Sequence, residues 1–494
     1  MHATAANPPR VRFSERLARC DWTPWLVALG LALRAYHYLR GPSLWHDEAA
    51  LVVNVLGKSF SELLGPLFFA EAAPPLFLWL EKATSLLFGD GLYALRLPPF
   101  LASCAALLLL VPVARRWLPA AAVPWAVLFF ACSDRLLWHA CEAKQYAGET
   151  LAALALMALY CRTESWPSAR RSLAFAALAP WVLFTAYPGC FLYGGALLAL
   201  LPGAWRSRRP AAWLSYAALA VVVFGCFAWL FAGPMRAQRN ETIVECWQGM
   251  QQFPDWRRPW TVPGWMLQSQ LDLVAHVIDP LGRFLAPLAI VGAVGFWRRK
   301  MFAELTLLLT PIGLAFGAAC FEAYPYGGVR VMVYAAPAIV LLVAAGIAPC
   351  AAWLESRGRA ATCAVVALAL APVAAAAVHA AVPWQRADCG SAAAFVQQRR
   401  LSEDQVVANH WEYRYYFREL GAAFTPLEEF MPHSPRRLWL VVTASTPADR
   451  DACLAAYTSA PWRVLQRKEF FRTTVVLVEP RIDVGRSGAA PDRL

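Results

Sequence analysis

Apolar segments of about 20 residues, separated by short basic runs, recur along most of this 494-residue chain. Hydrophobic residues make up 59% of the sequence, charged residues only 16%, and the mean hydropathy is +0.43. A soluble domain carries roughly 25% charged residues, whereas a helix that crosses a bilayer needs about 20 apolar ones. The chain is therefore predicted to be an integral membrane protein. Soluble and disordered classes are excluded, and the alternating strands of a porin are absent.

Basic residues predict which ends of the spans face the cytoplasm, because short positively charged loops are retained there. The basic runs are Arg10 to Arg19, Arg115–Arg116, Arg162 to Arg171, Arg206 to Arg209, Arg298 to Lys300, and Arg357 with Arg359. With the apolar segments they predict eleven spans, at 22–38, 93–114, 118–137, 144–162, 172–187, 189–205, 211–232, 280–297, 302–321, 330–349 and 360–380. The net charge of +12 follows this topology, so no nucleic-acid partner is expected.

One further apolar stretch, Pro74 to Phe88, is too short and too charged to count as a span. Counting it would place Arg115–Arg116 and every later basic run outside, so it is predicted to lie on the outer membrane surface as an amphipathic helix. The amino end is then cytoplasmic and the carboxyl end extracytoplasmic. Residues 40–92 form a first outer loop and residues 233–279 a large outer loop of a protein of the cytoplasmic (inner) membrane.

The predicted fold class is an all-α polytopic membrane protein with about eleven transmembrane helices, outer-face juxtamembrane helices and a small extracytoplasmic α/β domain at its C-terminus. The domains are a cytoplasmic segment 1–21, a transmembrane domain 22–380, the α/β domain 384–482 and a disordered tail 483–494. In the α/β domain, strand-like runs at 406–407, 438–442 and 474–478 alternate with helix-like stretches at 389–399 and 448–459. Cys389 and Cys453 could form a disulfide outside the cell, and the sequence leaves this open.

Charged and tyrosine side chains gather at the predicted outer ends of the spans. Charged groups in or beside a membrane span cost free energy, so their positions indicate functional sites. The motifs are Trp45-His46-Asp47-Glu48-Ala49, Glu142-Ala143-Lys144-Gln145-Tyr146, and Arg330 with Tyr334 one turn later, joined by Arg34 and Arg96 near the outer ends of their spans. This mixture fits group transfer from a membrane-anchored phosphate. A carboxylate would accept the proton of an attacking hydroxyl, and cations would neutralise the leaving phosphate.

Together with Ala73-Pro74-Pro75-Leu76-Phe77-Leu78-Trp79 and Arg96-Leu97-Pro98, these motifs resemble the GT-C glycosyltransferases. They are similar to bacterial enzymes of the protein O-mannosyltransferase and lipid A aminoarabinose transferase type, in order and spacing over residues 22–350. The resemblance implies a polyprenyl-phosphate sugar donor, inversion at the anomeric carbon, and an active site under the first outer loop with an acidic residue as base.

Carried over residue by residue, the resemblance makes Asp47 the base and Glu48 its catalytic neighbour. The predicted substrate-binding residues are Arg34, Arg96, Glu142, Lys144, Tyr146, Arg330 and Tyr334. Two positions depart from the family pattern. Lys144 stands where relatives commonly have Arg, which removes a bidentate phosphate ligand. Gly327-Gly328-Val329 precedes Arg330, and the usual Arg-Tyr pair is missing.

Each of these residues also has a purely structural alternative. Asp47 and Glu48 could cap a helix, Glu142 and Lys144 could form an interfacial ion pair, and the arginines and tyrosines could anchor spans at the headgroups. His46 and His139 could hold a divalent cation with Asp47 and Glu142, but no spacing requires one. We therefore expect no metal site and no required cofactor.

Two outer segments carry further alternatives. In the large outer loop, Trp247, Trp256, Trp260 and Trp265 with Arg236, Arg239, Arg257 and Arg258 could form a lid over the donor or an amphipathic hairpin on the headgroups. In the C-terminal domain, the segment His410 to Tyr416 could contact the acceptor or pack half-buried.

The predicted function is transfer of a sugar from a polyprenyl-phosphate donor to an acceptor hydroxyl at the outer membrane face, by an inverting enzyme. The expected partners are this donor, membrane lipids, and a lipid, polysaccharide or protein acceptor. The alternatives are a transporter or flippase of lipid-linked sugars and a non-catalytic envelope assembly subunit. The sugar, the acceptor, the carrier length and the oligomeric state are not determined by the sequence.

Overall fold

The computed structural model describes residues 21–355, 359–431, 437–459 and 462–480. The predictions for the segment 1–20, for Arg357 and for the tail 483–494 lie outside this part of the chain. The chain divides into two compact units, which we call the helical unit (Met1–Gly41 with Lys58–Pro383) and the α/β unit (Pro42–Gly57 with Trp384–Leu494).

The helices are α1 (Thr23–Leu39), α2 (His46–Gly57), α3 (Pro75–Phe88), α4 (Leu92–Trp117), α5 (Val123–Cys132), α6 (Asp134–Ala140), α7 (Tyr146–Arg162), α8 (Ser168–Thr185), α9 (Gly189–Ser207), α10 (Pro210–Leu230), α11 (Glu241–Gly249), α12 (Val262–Val277), α13 (Gly282–Arg298), α14 (Phe302–Cys320), α15 (Ala336–Glu355), α16 (Arg359–Ala381), α17 (Cys389–Arg399), α18 (Glu412–Tyr416) and α19 (Pro447–Thr458). A 3₁₀ segment, Arg330–Ala335, leads into α15. Helix α2 and helices α17 to α19 belong to the α/β unit.

Each of the eleven predicted spans coincides with a helix or a bent helix pair, and the short Pro74–Phe88 stretch is helix α3. Within the described residues, four helices are long and apolar enough to cross a membrane, and six spans result if each of two bent pairs counts as one. Two of the four are α4 (Leu92–Trp117) and α14 (Phe302–Cys320). The third, Pro210–Gln238, is α10 with the helical turns that continue it, and the fourth, Arg330–Ala351, is the 3₁₀ segment with most of α15. The chain therefore contains membrane-spanning helices, whereas the count of eleven crossings remains a prediction.

The third predicted span is broken between α5 and α6, which meet at a bend of 52°. A new helix, α6, begins after Ser133, whose side chain accepts a hydrogen bond from the Leu136 N–H at 3.4 Å and so caps it. The same hydroxyl donates to the carbonyl of Val277, at 2.7 Å, at the end of α12. The bend places Asp134 to His139 on a separate short helix.

Some helices of the helical unit are held together by close backbone contacts at glycines. At Gly292 on α13, an added Cβ would clash with the carbonyl oxygen of Leu342 on α15, and at Gly346 on α15 it would clash with that of Leu288. Small residues let two backbones approach closely, which is the usual device for packing helices in membranes.

The α/β unit contains a five-stranded sheet with the strand order β2-β1-β3-β5-β4. The strands are β1 (Gln405–Ala408), β2 (Phe424–Pro426), β3 (Leu438–Thr443), β4 (Trp462–Phe470) and β5 (Thr473–Pro480). Strand β1 is parallel to β2 and β3, and β5 is antiparallel to β3 and β4. The three predicted strands and both predicted helices are confirmed. The prediction missed β2, which is three residues long, and β4, whose polar exposed side chains are typical of an edge strand.

The two cysteines considered for a disulfide are both free. Cys389 is buried in one apolar cluster of the sheet domain with Val406 and Trp439. Cys453 packs against the other cluster, which contains Val407 and Leu440. Because successive residues of a strand point to opposite faces, the two thiols lie on opposite sides of the sheet and do not pair.

Candidate active site

The acidic pair of the first outer loop lies in the first turn of α2, in the α/β unit. Glu48 is buried, and its Oε2 accepts a hydrogen bond from the backbone N–H of Trp45, at 3.2 Å, just before the helix. This is one half of a capping box, in which an acidic side chain in the first turn accepts from the backbone N–H before the helix. Arg386 Nη1 lies 3.4 Å from the same oxygen. Glu48 therefore has a structural role, and its predicted catalytic role stays a prediction.

Asp47 differs from its neighbour because its side chain is half-buried rather than enclosed. Its Oδ2 accepts a hydrogen bond from the indole Nε1 of Trp45, at 3.2 Å. A carboxylate that is held in place yet remains partly accessible is suited to accept a proton from a bound hydroxyl. Of the two acidic residues, Asp47 is thus the better candidate for a base.

In the helical unit, the second motif forms two buried pairs. Lys144 Nζ lies 2.7 Å from Glu71 Oε2, and the two side chains are 2% and 12% exposed. His139 Nδ1 lies 2.8 Å from Glu142 Oε2. The alternative of an ion pair between Glu142 and Lys144 is therefore wrong, because each residue has another partner.

Glu71 was missed by the sequence analysis. It lies two residues before the Ala73-Pro74-Pro75 motif, but only the fold brings it to a lysine 73 positions later. The residues that follow this pair are also in contact, since Gln145 Nε2 donates to the carbonyl of Ala72 at 3.5 Å. The first outer loop of the helical unit and the second motif thus form one polar cluster.

Helix α7 connects this cluster with the third motif. Its first residue, Tyr146, has its ring 4.7 Å from the His139 ring. One turn later the Thr150 hydroxyl donates to the Tyr146 carbonyl at 3.0 Å and lies 3.4 Å from the carbonyl of Val333 in the 3₁₀ segment. The Tyr324 hydroxyl donates to Val331 of the same segment, at 2.7 Å. The segment that carries Arg330 therefore packs beside the start of α7, as the predicted site requires.

The two predicted substrate-binding residues of the third motif differ in how they are held. Arg330 has its guanidinium 5.8 Å from the centre of the Trp247 ring, within reach of a cation–π interaction. Tyr334 is buried, and its hydroxyl donates to the backbone carbonyl of Pro311 at 3.1 Å. The hydroxyl of Tyr334 thus already has a protein acceptor. Glu149 on α7, also missed from the sequence, is buried and interacts electrostatically with Tyr324 and Tyr334.

Arg34 and Arg96 are both buried within the helical unit. Arg34 Nε donates to Ser103 Oγ on α4, at 2.8 Å, and its other nitrogens donate to three backbone carbonyls on α1 and α5 at 3.0–3.3 Å. Arg34 therefore joins three helices rather than reaching the headgroups. Arg96 lies on α4 and is 1% exposed. A substrate contact of either arginine stays a prediction.

A groove of about 1290 Å³ opens in the helical unit beside the large outer loop. Four of the eight tryptophan and arginine residues considered for a lid line it, namely Trp256, Arg257, Arg258 and Trp265, together with Arg135 from α6. Ligand pockets are commonly about 300–1,000 Å³, so this volume would accept a sugar phosphate. Its wall also includes His276 from α12.

The metal group considered from the sequence is divided between the two units, since His46 and Asp47 lie in one and His139 and Glu142 in the other. Within the described part of the α/β unit, His46 instead meets His410 and Glu412, and one ligand atom from each lies within 4.8 Å of the others. Burial alone would raise the pKa of the Glu412 carboxyl, but hydrogen bonds from His410 and His46 lower that pKa to about 2. Glu412 is therefore a carboxylate at neutral pH.

No protein-family model and no curated protein sequence matches this chain. Solved structures do. ArnT from Cupriavidus metallidurans bound to undecaprenyl phosphate aligns over 96% of this chain and 99% of its own, at 15% identity and a TM-score of 0.52. The apo state of ArnT aligns over 93% of this chain and 98% of its own, at 13% identity and a TM-score of 0.50. The chain has the GT-C fold.

A second GT-C structure extends this likeness. The oligosaccharyltransferase of Archaeoglobus fulgidus, tethered to an acceptor peptide, aligns over 83% of this chain at 11% identity and a TM-score of 0.50. The alignment covers only 64% of that longer enzyme. The shared GT-C architecture therefore extends over nearly the whole of the ArnT chain and over part of the oligosaccharyltransferase.

Proposed function

We propose that the chain is a GT-C glycosyltransferase that transfers a sugar from a polyprenyl-phosphate donor to an acceptor hydroxyl, with inversion at the anomeric carbon. The single observation that carries this proposal is the end-to-end likeness to the ArnT structure bound to undecaprenyl phosphate. Buried charged side chains at the motif positions of the helical unit support it, because such groups inside a membrane protein mark functional sites.

In the proposed reaction, the acceptor oxygen attacks the anomeric carbon on the face opposite to the phosphate. The acceptor O–H proton passes to the Asp47 carboxylate while the bond between the anomeric carbon and the phosphate oxygen breaks. Phosphate is a good leaving group, so the proposal needs no general acid. The half-exposed carboxylate of Asp47 supports this role, whereas the enclosed carboxylate of Glu48 supports a structural one.

Lys144 and Arg330 are the proposed phosphate ligands. Both are close to fixed partners, Lys144 through its ion pair with Glu71 and Arg330 through the Trp247 ring. Fixed cations stabilise the negative charge on the leaving phosphate without having to reorganise during the reaction. The groove lined by Trp265 and Arg257 is the proposed entry for the sugar phosphate, because aromatic rings stack on sugars and arginines bind phosphates.

The proposed location is the cytoplasmic membrane, with the amino end inside and the α/β domain outside. The acceptor is a hydroxyl of a lipid, a polysaccharide or a protein. The chemistry described requires no cofactor.

A strain that lacks the gene tests the reaction class. We expect polyprenyl-linked sugar to accumulate, as detected by mass spectrometry of the lipid extract, because the donor is no longer consumed. Wild-type protein and the control variant Asp90→Asn, an exposed acidic residue of the same outer loop, should both reverse the accumulation. Asp47→Asn should not. An unchanged lipid-linked sugar pool would argue for a transporter or an assembly subunit.

The purified protein then tests the base. With labelled donor, Asp47→Asn should lower turnover by about 10²–10⁴-fold, the range for a lost general base, and leave donor binding intact. Turnover close to that of the Asp90→Asn control would show that another group accepts the proton.

A further inference from the structure

Three side chains of the α/β unit meet around one point although they come from distant parts of the sequence. His46 begins α2, whereas His410 and Glu412 follow strand β1. His46 Nδ1 lies 3.3 Å from Glu412 Oε1, and His410 Nδ1 lies 3.1 Å from Glu412 Oε2. The centres of the two imidazole rings are 4.8 Å apart.

The two nitrogen–oxygen separations are close to the spacing of ligands around a small divalent ion. Zinc binds imidazole nitrogen and carboxylate oxygen at about 2.0–2.2 Å, which puts neighbouring ligands of a tetrahedron roughly 3.3–3.6 Å apart. Both nitrogen–oxygen distances come within a few tenths of an ångström of this range, and the atoms that one ion would bind lie within 4.8 Å of one another. Two imidazoles and one carboxylate would leave a fourth position for water.

The surroundings hold the three ligands in place and leave a path to them. The Trp411 ring stacks on the His46 ring at 3.8 Å, and its Nε1 donates to the His46 carbonyl at 2.7 Å. Glu412 is enclosed, whereas about a third of each histidine side chain is exposed. The contacts of Trp411 with the His46 ring and carbonyl thus restrain this ligand before an ion binds.

We propose that His46, His410 and Glu412 form a binding site for a divalent cation of the zinc class, which imidazole ligands favour. The bound ion fastens the start of α2, and with it Asp47, to the α/β domain. The three ligands take no part in the proton transfer assigned to Asp47, so zinc binding can be tested without measuring sugar transfer. Without an ion, the same three groups form a hydrogen-bonded trio in which the histidines donate to the carboxylate.

Zinc titration of the purified full-length protein in detergent tests the proposal, with a chromophoric chelator as competitor. We expect the wild type to bind a single Zn²⁺ per chain at this site. His46→Gln and His410→Gln should each lower the affinity at least ~100-fold, because even the loss of an outer-shell partner costs 10–100-fold. The control His379→Gln, in the helical unit, should bind like the wild type.

Two further measurements separate a lost ligand from a misfolded domain. His410→Cys, which replaces one zinc ligand by another, should restore binding. Co²⁺ should give the intense visible absorption of a low-coordinate site in the wild type and in His379→Gln but not in His410→Gln. Absence of zinc binding by the wild type, or equal affinity in all the histidine variants, would overturn the proposal and leave the hydrogen-bonded trio.

Discussion

The helical unit and the α/β unit distribute apolar and charged side chains in opposite ways. In the helical unit, large apolar residues such as Leu214, Phe224 and Phe231 are exposed, whereas Arg34 and Lys144 are buried. In the α/β unit, the two faces of the sheet pack apolar residues, and the edge strand β4 is exposed and polar. The first pattern suits a surface that meets lipid, and the second suits one that meets water.

A charged side chain therefore contributes differently to stability in the two units. A buried charge is costly to desolvate, so it needs well-placed partners, and removing one partner strands the other. An exposed ion pair is screened by water and contributes little. Ion pairs of similar length should therefore have very different effects on stability in the two units.

The largest effect is expected for the buried pair of the helical unit. Lys144→Met leaves the Glu71 carboxylate without its ammonium partner and should lower the stability of that unit by about 3–5 kcal/mol. Thermal unfolding of the purified protein in detergent measures this. Lys58→Met, which removes a cation lying over the Phe68 ring, is the matched control and should cost only about 0.5–1 kcal/mol.

A double substitution sharpens the same prediction. Lys144→Met with Glu71→Leu removes both charges and should recover most of the lost stability, because a buried pair can be replaced by apolar residues at little cost. Sugar transfer should stay lost in the double variant if Lys144 binds phosphate. A double variant as unstable as the single one would show that the pair is not the cause.

An intermediate effect is expected for Asp404, a buried carboxylate in the α/β unit. It accepts hydrogen bonds from Arg437 Nε and Nη2, at 2.9 and 2.8 Å, and from Trp439 Nε1, at 2.9 Å. Asp404→Asn should lower the stability of the sheet by about 2 kcal/mol, since bonds to a charged group are worth about 1.5–3 kcal/mol. Hydrogen exchange of the β1 and β3 amides in the full-length protein measures this, with Asp451→Asn as the exposed control.

The stabilising effect of Asp404 should also depend on pH. Burial alone would raise the pKa of this carboxyl, but hydrogen bonds from Arg437, the Leu401 backbone and Trp439 lower it below the ordinary value of 3.8. Its contribution is therefore fully present above pH 3.8 and is lost as the pH falls through the lowered pKa. Protection of β1 should fall in this acid range in the wild type and change less in Asp404→Asn. Equal slopes would contradict the assignment.

The smallest effect is expected for the exposed pair between β4 and α19, where Arg467 Nη2 lies 2.7 Å from Asp451 Oδ1 and both side chains are about half exposed. Arg467→Ala should change stability by at most about 1 kcal/mol, and added salt should remove most of the difference. The same exchange experiment, at low and high salt, measures it. A loss as large as that of Asp404→Asn would break the distinction between buried and exposed charges.

The sequence predicted the helical framework and three strands correctly, because hydropathy and alternation are local properties of the chain. It also predicted that the second and third motifs share one membrane face. In the structure α7, which begins with Tyr146, packs beside the 3₁₀ segment that begins with Arg330, and a shared site of these residues stays a prediction. It did not predict the partners of individual charges. Glu71 was missed, and Glu48, grouped with Asp47 as a catalytic residue, caps α2 and pairs with Arg386. A motif groups adjacent residues, but successive side chains on a helix point in different directions.

By itself, the sequence determined where apolar helices form and which segments carry the polar chemistry, because a bilayer-spanning helix satisfies its backbone within the segment. The tertiary structure decided that α2 belongs with the C-terminal sheet and that His46 lies beside His410 and Glu412. It also decided that Lys144 pairs with Glu71. These pairings depend on contacts between segments far apart in the chain, where distances of a few ångströms set the interaction energy.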